Sequence, residues 1–216
     1  MPEESNAALT AKKKNFYYRA VAFAGRIVFR TLIPVQFIGL ENVCEDGPFI
    51  LISNHLSALD PVVIACRLKK CEIVFLGKKE ITTSRLGKWF SDKMKMIPVE
   101  RHGTDLTAMR KCISVIKRQG VLGIFPEGTR HHDGVMEHIE TGTAMIALRS
   151  KARIQPVLIN GKLRPFRKNT VFFGKPMNVN DLYEEGLDNE IAAKLDERIK
   201  STYRDMLKDV EKNLKK

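Results

Sequence analysis

Two short segments carry side chains suited to proton transfer. The first is Asn54-His55-Leu56-Ser57-Ala58-Leu59-Asp60, directly after the apolar run 49–53 (FILIS). An imidazole can accept a proton near neutral pH. It does so better when a carboxylate on its other nitrogen fixes the tautomer and stabilises the imidazolium. Asp60 lies five residues beyond His55, so a tight turn would bring the two together. An alcohol held at the free ring nitrogen would then lose its proton as it attacked a carbonyl. Asp60 also precedes Pro61 and reads as a helix N-cap. The two roles are compatible, because a capping residue is rigidly placed.

The second segment is Phe125-Pro126-Glu127-Gly128-Thr129-Arg130. Here an apolar run ends, Pro126 blocks further ladder pairing, and Gly128 permits a tight turn. Glu127, Thr129 and Arg130 are presented on the loop, where an arginine can grip a phosphate bidentately. An ordinary polar turn uses the same residue types, so this segment alone does not define a function.

Other chemistries lack their residues. The chain has no G-x-x-x-x-G-K-[ST], no G-x-G-x-x-G, no G-x-S-x-G and no H-E-x-x-H. His131, His132 and His138 cluster locally, but their spacing and the lack of a nearby cysteine do not suit zinc. No metal site is expected. His102, beside Arg101, reads as a solvated loop residue.

Elements must hold these segments in place. Runs 49–53, 73–76, 96–99, 121–125, 154–159 and 171–173 read as strands. Pro61 opens a helical pattern that reaches Leu68. Leu106, Met109, Ile113 and Ile116 recur at helical spacing before Gly120, and 143–148 is helical too. This alternation predicts an α/β fold, a single domain with a mostly parallel central sheet flanked by helices. Functional loops in such sheets lie beyond the strand carboxyl ends, which puts His55 and the loop 126–130 at one edge.

Residues 12–32 form a further helical pattern. Phe16, Ala20, Phe23 and Ile27 share a stripe, Tyr17, Val21, Ala24 and Val28 flank it, and Arg19, Arg26 and Arg30 lie on another face. Such a helix either lies in a membrane interface or docks on the protein's own core. The preceding Lys12-Lys13-Lys14 favours the membrane. The expected organisation is a basic, amphipathic membrane-association segment over 1–34 and a domain over 35–216. The domain ends in a charged helix with Ile191, Leu195, Ile199, Leu207, Val210 and Leu214 on one face.

The 216 residues suffice for one well-packed domain. A net charge of +12 attracts nucleic acid, anionic lipid, or an acidic carrier or phosphorylated substrate. The aromatics of the amino-terminal segment sit on a helical stripe and no nucleic-acid motif is present, so no nucleic acid is expected. Cys44, Cys66, Cys71 and Cys112 fit no zinc or disulfide framework and read as buried or half-buried thiols of a reducing compartment. No signal peptide is visible, and no run approaches the roughly 20 apolar residues that cross a bilayer. The expected location is the cytoplasmic face of the cell membrane, held peripherally or monotopically.

Taken together, the two segments resemble the 1-acyl-glycerol-3-phosphate acyltransferases, a family of glycerolipid acyltransferases. Its N-H-x-x-x-x-D motif is matched by Asn54, His55 and Asp60, and its F-P-E-G-T-R motif is matched in full at 125–130. Ile97-Pro98-Val99-Glu100-Arg101 resembles the second motif and Ile154-Gln155-Pro156-Val157 the fourth. Gly77-Lys78-Lys79-Glu80 resembles the family's lysine-rich segment. The resemblance implies that His55 is the general base and that Asp60 orients it. It implies that Arg101 and Arg130, with Lys78, bind a substrate phosphate, and that Asn54, Glu127, Gly128 and Thr129 complete the substrate-binding set. Glu127 and Gly128 would position the glycerol backbone or shape the loop.

The implied reaction moves a fatty acyl group from acyl-CoA or acyl-acyl carrier protein to the sn-2 hydroxyl of lysophosphatidic acid. It needs no metal or prosthetic group and no acyl-enzyme. The chain departs from the pattern at His131-His132-Asp133, where many relatives have serine, and at Thr141, where many have lysine. These departures leave glycerol-3-phosphate or another lysophospholipid as an alternative acceptor. A non-enzymatic basic binding module is the reading from a different class.

Overall fold

The apolar runs become a seven-stranded sheet in a computed structural model of the chain, which describes residues 15–43, 47–68, 70–100, 105–128, 135–140 and 142–214. The strands are β1 (Val35–Ile38), β2 (Phe49–Ser53), β3 (Ile73–Lys78), β4 (Ile97–Val99), β5 (Val121–Ile124), β6 (Arg153–Asn160) and β7 (Asn169–Phe173). The helices are α1 (Phe16–Thr31), α2 (Asp60–Arg67), α3 (Arg85–Lys93), α4 (Leu106–Lys117), α5 (Gly142–Ser150), α6 (Asn180–Glu185) and α7 (Asn189–Leu214). Across the sheet the order is β1-β7-β6-β2-β5-β3-β4. Every neighbouring pair is parallel except β6 with β7.

The central strand β2 explains why its sequence is apolar at every position but the last. Strands covered on both faces lose the usual alternation with polar residues. Ile50 and Ile52 enter a core shared with α4, α5 and α7. Phe49 and Leu51 enter the opposite core, shared with α1 and α2. Three elements escape the periodicity, one of them the short helix α6. Strand β1 is a half-buried edge strand with Gln36 exposed, and α3 turns its large apolar side chains outward.

The amino-terminal helix docks on the protein's own core by one face and leaves the other outside. Tyr18, Ala22, Gly25 and Phe29 of α1 are buried. The Tyr18 hydroxyl accepts the Ile73 backbone N–H at 3.1 Å. A Cβ at Gly25 would lie 3.1 Å from Val62 Cγ1, so glycine sets the close crossing of α1 and α2. The stripe seen in the sequence points the other way: Phe16, Phe23 and Ile27 are exposed. Among the described residues, no helix is long and apolar enough to cross a membrane. Lys12, Lys13 and Lys14 lie outside them.

Helix α7 is one unbroken element of 26 residues. Ile191, Leu195 and Ile199 are buried as expected, and the buried face continues through Tyr203, Met206 and Val210. Tyr203 is fully buried although it stands in a charged stretch. Burial holds its hydroxyl well above the ordinary tyrosine range, so it remains a donor. It donates to the Ile52 carbonyl at 2.6 Å and sits 3.3 Å from the Val157 N–H. The carboxyl end of β2 is thereby tied to the last helix. Cys66 and Cys112 are buried and Cys71 is half-buried, while Cys44 lies outside the described residues.

Replacing Tyr203 by Phe leaves the Ile52 carbonyl short of a donor inside the core. The expected loss is about 1–3 kcal/mol in urea unfolding. A loss below about 0.5 kcal/mol would contradict the tie between α7 and β2.

Candidate active site

The site begins where β2 leaves the sheet. Asn54 is fully buried. Its Oδ1 accepts the Ile159 N–H at 2.8 Å and its Nδ2 donates to the Ile159 carbonyl at 3.0 Å. The side-chain amide thus imitates the next rung of the ladder, and the backbone is free to turn away. Asn54, expected among the substrate-binding residues, fixes the direction in which His55 departs.

His55 is held at three points. Its backbone N–H donates to Glu127 Oε2 at 3.0 Å. Its ring Nδ1 lies 2.9 Å from Asp60 Oδ2. Its ring face stacks on Phe125, with centroids 4.4 Å apart. Phe125 in turn stacks on Phe75 at 5.8 Å. Phe75 has room because residue 123 is glycine, where a Cβ would meet the ring at 2.4 Å. Phe125 and Phe75 were not among the expected site residues. The signal for them was an aromatic in F-P-E-G-T-R and a glycine in an otherwise bulky strand.

Asp60 is the first residue of α2, not its N-cap; that position is Leu59. The carboxylate folds back over the preceding loop. Its Oδ2 accepts from Leu56 N–H at 2.6 Å and Ser57 N–H at 2.7 Å, as well as from the His55 ring. The positive end of a helix also favours a carboxylate here. An oxygen that takes two backbone donors acts as an acceptor, so the His55 Nδ1 carries the shared hydrogen. The ring nitrogen Nε2 is then bare and basic. The Asp60 side chain is 0% exposed and that of His55 is 19% exposed, so only the imidazole is reachable.

The second loop meets the first through Glu127, which is buried. One oxygen takes the His55 N–H and the other takes the Met136 N–H at 2.8 Å. The residue shapes the loops. Gly128 has φ +67°, a conformation that calls for glycine, and it packs against the Glu140 side chain. Lys78 ends β3, is exposed, and pairs in register with Val99 of β4. Its neighbour Lys79 forms an ion pair with Glu100. Arg101, Thr129 and Arg130 lie outside the described residues, as do His102, His131, His132, Asp133 and Thr141.

His55 faces a cavity of about 1070 Å³. Small-molecule sites measure about 300–1,000 Å³, so this one has room for a long ligand. Val62, Met94 and Met96 line it from one core, and Met109, Cys112 and Ile146 from the other. Lys78, Gly128, Glu140 and Arg149 add polar edges. The Cys112 thiol is pushed up to about 12 by burial and stays protonated, which makes it a poor nucleophile.

A mostly parallel α/β sheet thus holds a histidine–carboxylate pair at its strand ends, beside a large and mainly apolar cavity. The model of the Acyltransferase family matches residues 34–160, and the chain belongs to this family. It is 30% identical to the 1-acyl-sn-glycerol-3-phosphate acyltransferase of Streptococcus pneumoniae over 176 residues, 74% of this chain and 65% of that protein. It is 25% identical to the Bacillus subtilis protein of the same name over 191 residues, 85% of this chain and 95% of that protein. The chain therefore spans just under two thirds of the streptococcal relative and nearly all of the bacillar one. The fold is similar to that of the crystal structure of the 1-acyl-sn-glycerophosphate (LPA) acyltransferase from Thermotoga maritima. That match has a TM-score of 0.70 at 21% identity and covers 98% of this chain and 84% of that one.

Glu127→Gln tests the junction of the two loops. One face of the amide turns an N–H toward a backbone N–H, so a hydrogen bond is lost at a cost of about 1–3 kcal/mol. Amide exchange at His55 or Met136 is expected to accelerate. Unchanged protection at both would show that the carboxylate does not hold the loops.

Proposed function

We propose that the chain is a 1-acyl-sn-glycerol-3-phosphate O-acyltransferase that makes phosphatidic acid from lysophosphatidic acid and an acyl thioester. The observation that carries this reading is the reachable His55 ring, oriented by Asp60 at 2.9 Å and facing the apolar cavity. The names of the relatives support the acceptor.

The reaction runs in one direct transfer. The sn-2 hydroxyl gives its proton to His55 Nε2 as its oxygen attacks the thioester carbonyl. Asp60 stabilises the imidazolium that forms. The carbon–sulfur bond breaks, and the imidazolium returns the proton to the leaving thiolate. The products are an ester and a free thiol, with no acyl group left on the protein. The protonated Cys112 agrees with that scheme. Neither proton transfer needs a metal or prosthetic group.

Lys78, with Arg101 and Arg130, is assigned to the acceptor phosphate. The exposed position of Lys78 at the cavity edge supports its part. The donor thiol belongs to coenzyme A or acyl carrier protein, and the positive surface suits either anionic carrier. The outward stripe of α1 would rest on the cytoplasmic face of the membrane, where each nearby lysine or arginine adds about 1 kcal/mol on anionic lipid.

His55→Ala is expected to lower acyl transfer at least about 100-fold while sedimentation with anionic vesicles is unchanged. Full activity in that variant would leave a binding module as the better reading. A panel of acceptors with one donor, read by product mass, tests the rest. Lysophosphatidic acid should exceed a matched acceptor without phosphate; equal rates would overturn the phosphate assignment.

A further inference from the structure

The outward face of α3 has no role in the site described so far. Leu86 is 75% exposed and Trp89 is 49% exposed, and Phe90 and Ile81 are partly exposed beside them. Four large apolar side chains left exposed on one short segment are unusual for a free surface and mark an interaction site. The helix is not loosely attached. Ser84 caps it by accepting the Gly87 N–H at 3.0 Å. A Cβ at Gly87 would lie 1.9 Å from the Ile81 carbonyl, so glycine seats α3 tightly on the preceding turn.

This patch continues into α1. The Trp89 ring meets the Tyr17 ring edge-on, with centroids 5.9 Å apart, and Tyr17 meets Phe16 at 5.7 Å. Lys93 Nζ lies over the Tyr17 ring at 4.5 Å. Residues 78–95 include six basic and two acidic side chains, and three of the basic ones, Lys79, Lys88 and Lys95, form ion pairs with Glu100, Asp92 and Glu72. Exposed apolar side chains in a segment rich in lysine and arginine match an anionic bilayer, whose headgroups meet the charges while its chains meet the rings. On their inner side, Phe90 and Ile81 line the cavity that His55 faces.

We propose that α3 inserts into an anionic bilayer as a second contact beside α1 and forms the lip over which the lipid acceptor enters the cavity. The proposal rests on the acyltransferase reading for the identity of that acceptor. The acceptor's acyl chain then passes from bilayer to cavity along Ile81 and Phe90 without crossing water. Its hydroxyl is delivered at the height of His55.

Trp89 is the one tryptophan of the chain, so its emission reports on α3 directly. The full chain is mixed with vesicles of phosphatidylglycerol and phosphatidylcholine that carry bromine on their acyl chains. Trp89 is expected to be quenched by these lipids and shielded from aqueous iodide. Leu86→Asp changes an exposed residue outside the cavity. It should weaken vesicle binding on the order of tenfold or more, from the lost burial of one leucine. Turnover of vesicle-embedded acceptor should fall in step, with turnover of a monomeric short-chain acceptor unchanged.

Vesicle-bound protein whose Trp89 stays open to iodide and unquenched by bromine would overturn the proposal, as it would if a protein partner covers α3. So would wild-type vesicle binding by Leu86→Asp, or equal losses on the embedded and short-chain acceptors. Absence of turnover on either acceptor in the unaltered chain would instead sink the acyltransferase reading, and the quenching would still decide where the membrane sits.

Discussion

One carboxylate oxygen organises the site. Asp60 Oδ2 draws in the His55 ring and the N–H groups of Leu56 and Ser57, all within 2.9 Å. Charge-assisted bonds of this kind are shorter and roughly twice as strong as neutral ones. They wind the chain between β2 and α2 into a tight loop and decide which ring nitrogen is basic. The carboxylate can do both because it is sealed from water at the start of a helix.

The sheet supplies what the loop cannot. Parallel pairing of β2 and β5 brings two strand ends side by side, so His55 and Glu127 meet although 72 residues separate them. Asn54 stops β2 by taking up Ile159, and Tyr203 holds the last turn of that strand from behind. The Phe125 and Phe75 rings set the plane of the imidazole. Aromatic pairs contribute about 0.5–1.5 kcal/mol beyond their burial, enough to favour one ring orientation. The cavity opens on the remaining side.

Much of this was legible in the chain. Strands β2, β3 and β5 announce themselves because burial on both faces leaves them continuously apolar, and α4 does so by its spacing. The rule about strand carboxyl ends correctly placed His55 and Glu127 together. What escaped had a physical reason in each case. Strand β1 lies at the edge and is only half-buried, so its pattern is weak. The apolar residues of α3 face outward, where no core periodicity marks them. Tyr203 hides in a run of charges that belong to the opposite face of α7. That the Asn54 amide completes a ladder was not legible either, because residue type does not reveal a backbone partner 105 residues away.

The most direct measurement is the tautomer of His55. In ¹⁵N-labelled protein under weakly alkaline conditions, where an imidazole is neutral, the ring nitrogen shifts distinguish the two forms. A hydrogen on Nδ1 and a bare Nε2 are expected, reversing toward Nε2–H when Asp60 is replaced by Asn. A ring that carries its hydrogen on Nε2 in the unaltered protein would contradict the account, because no base would then face the cavity.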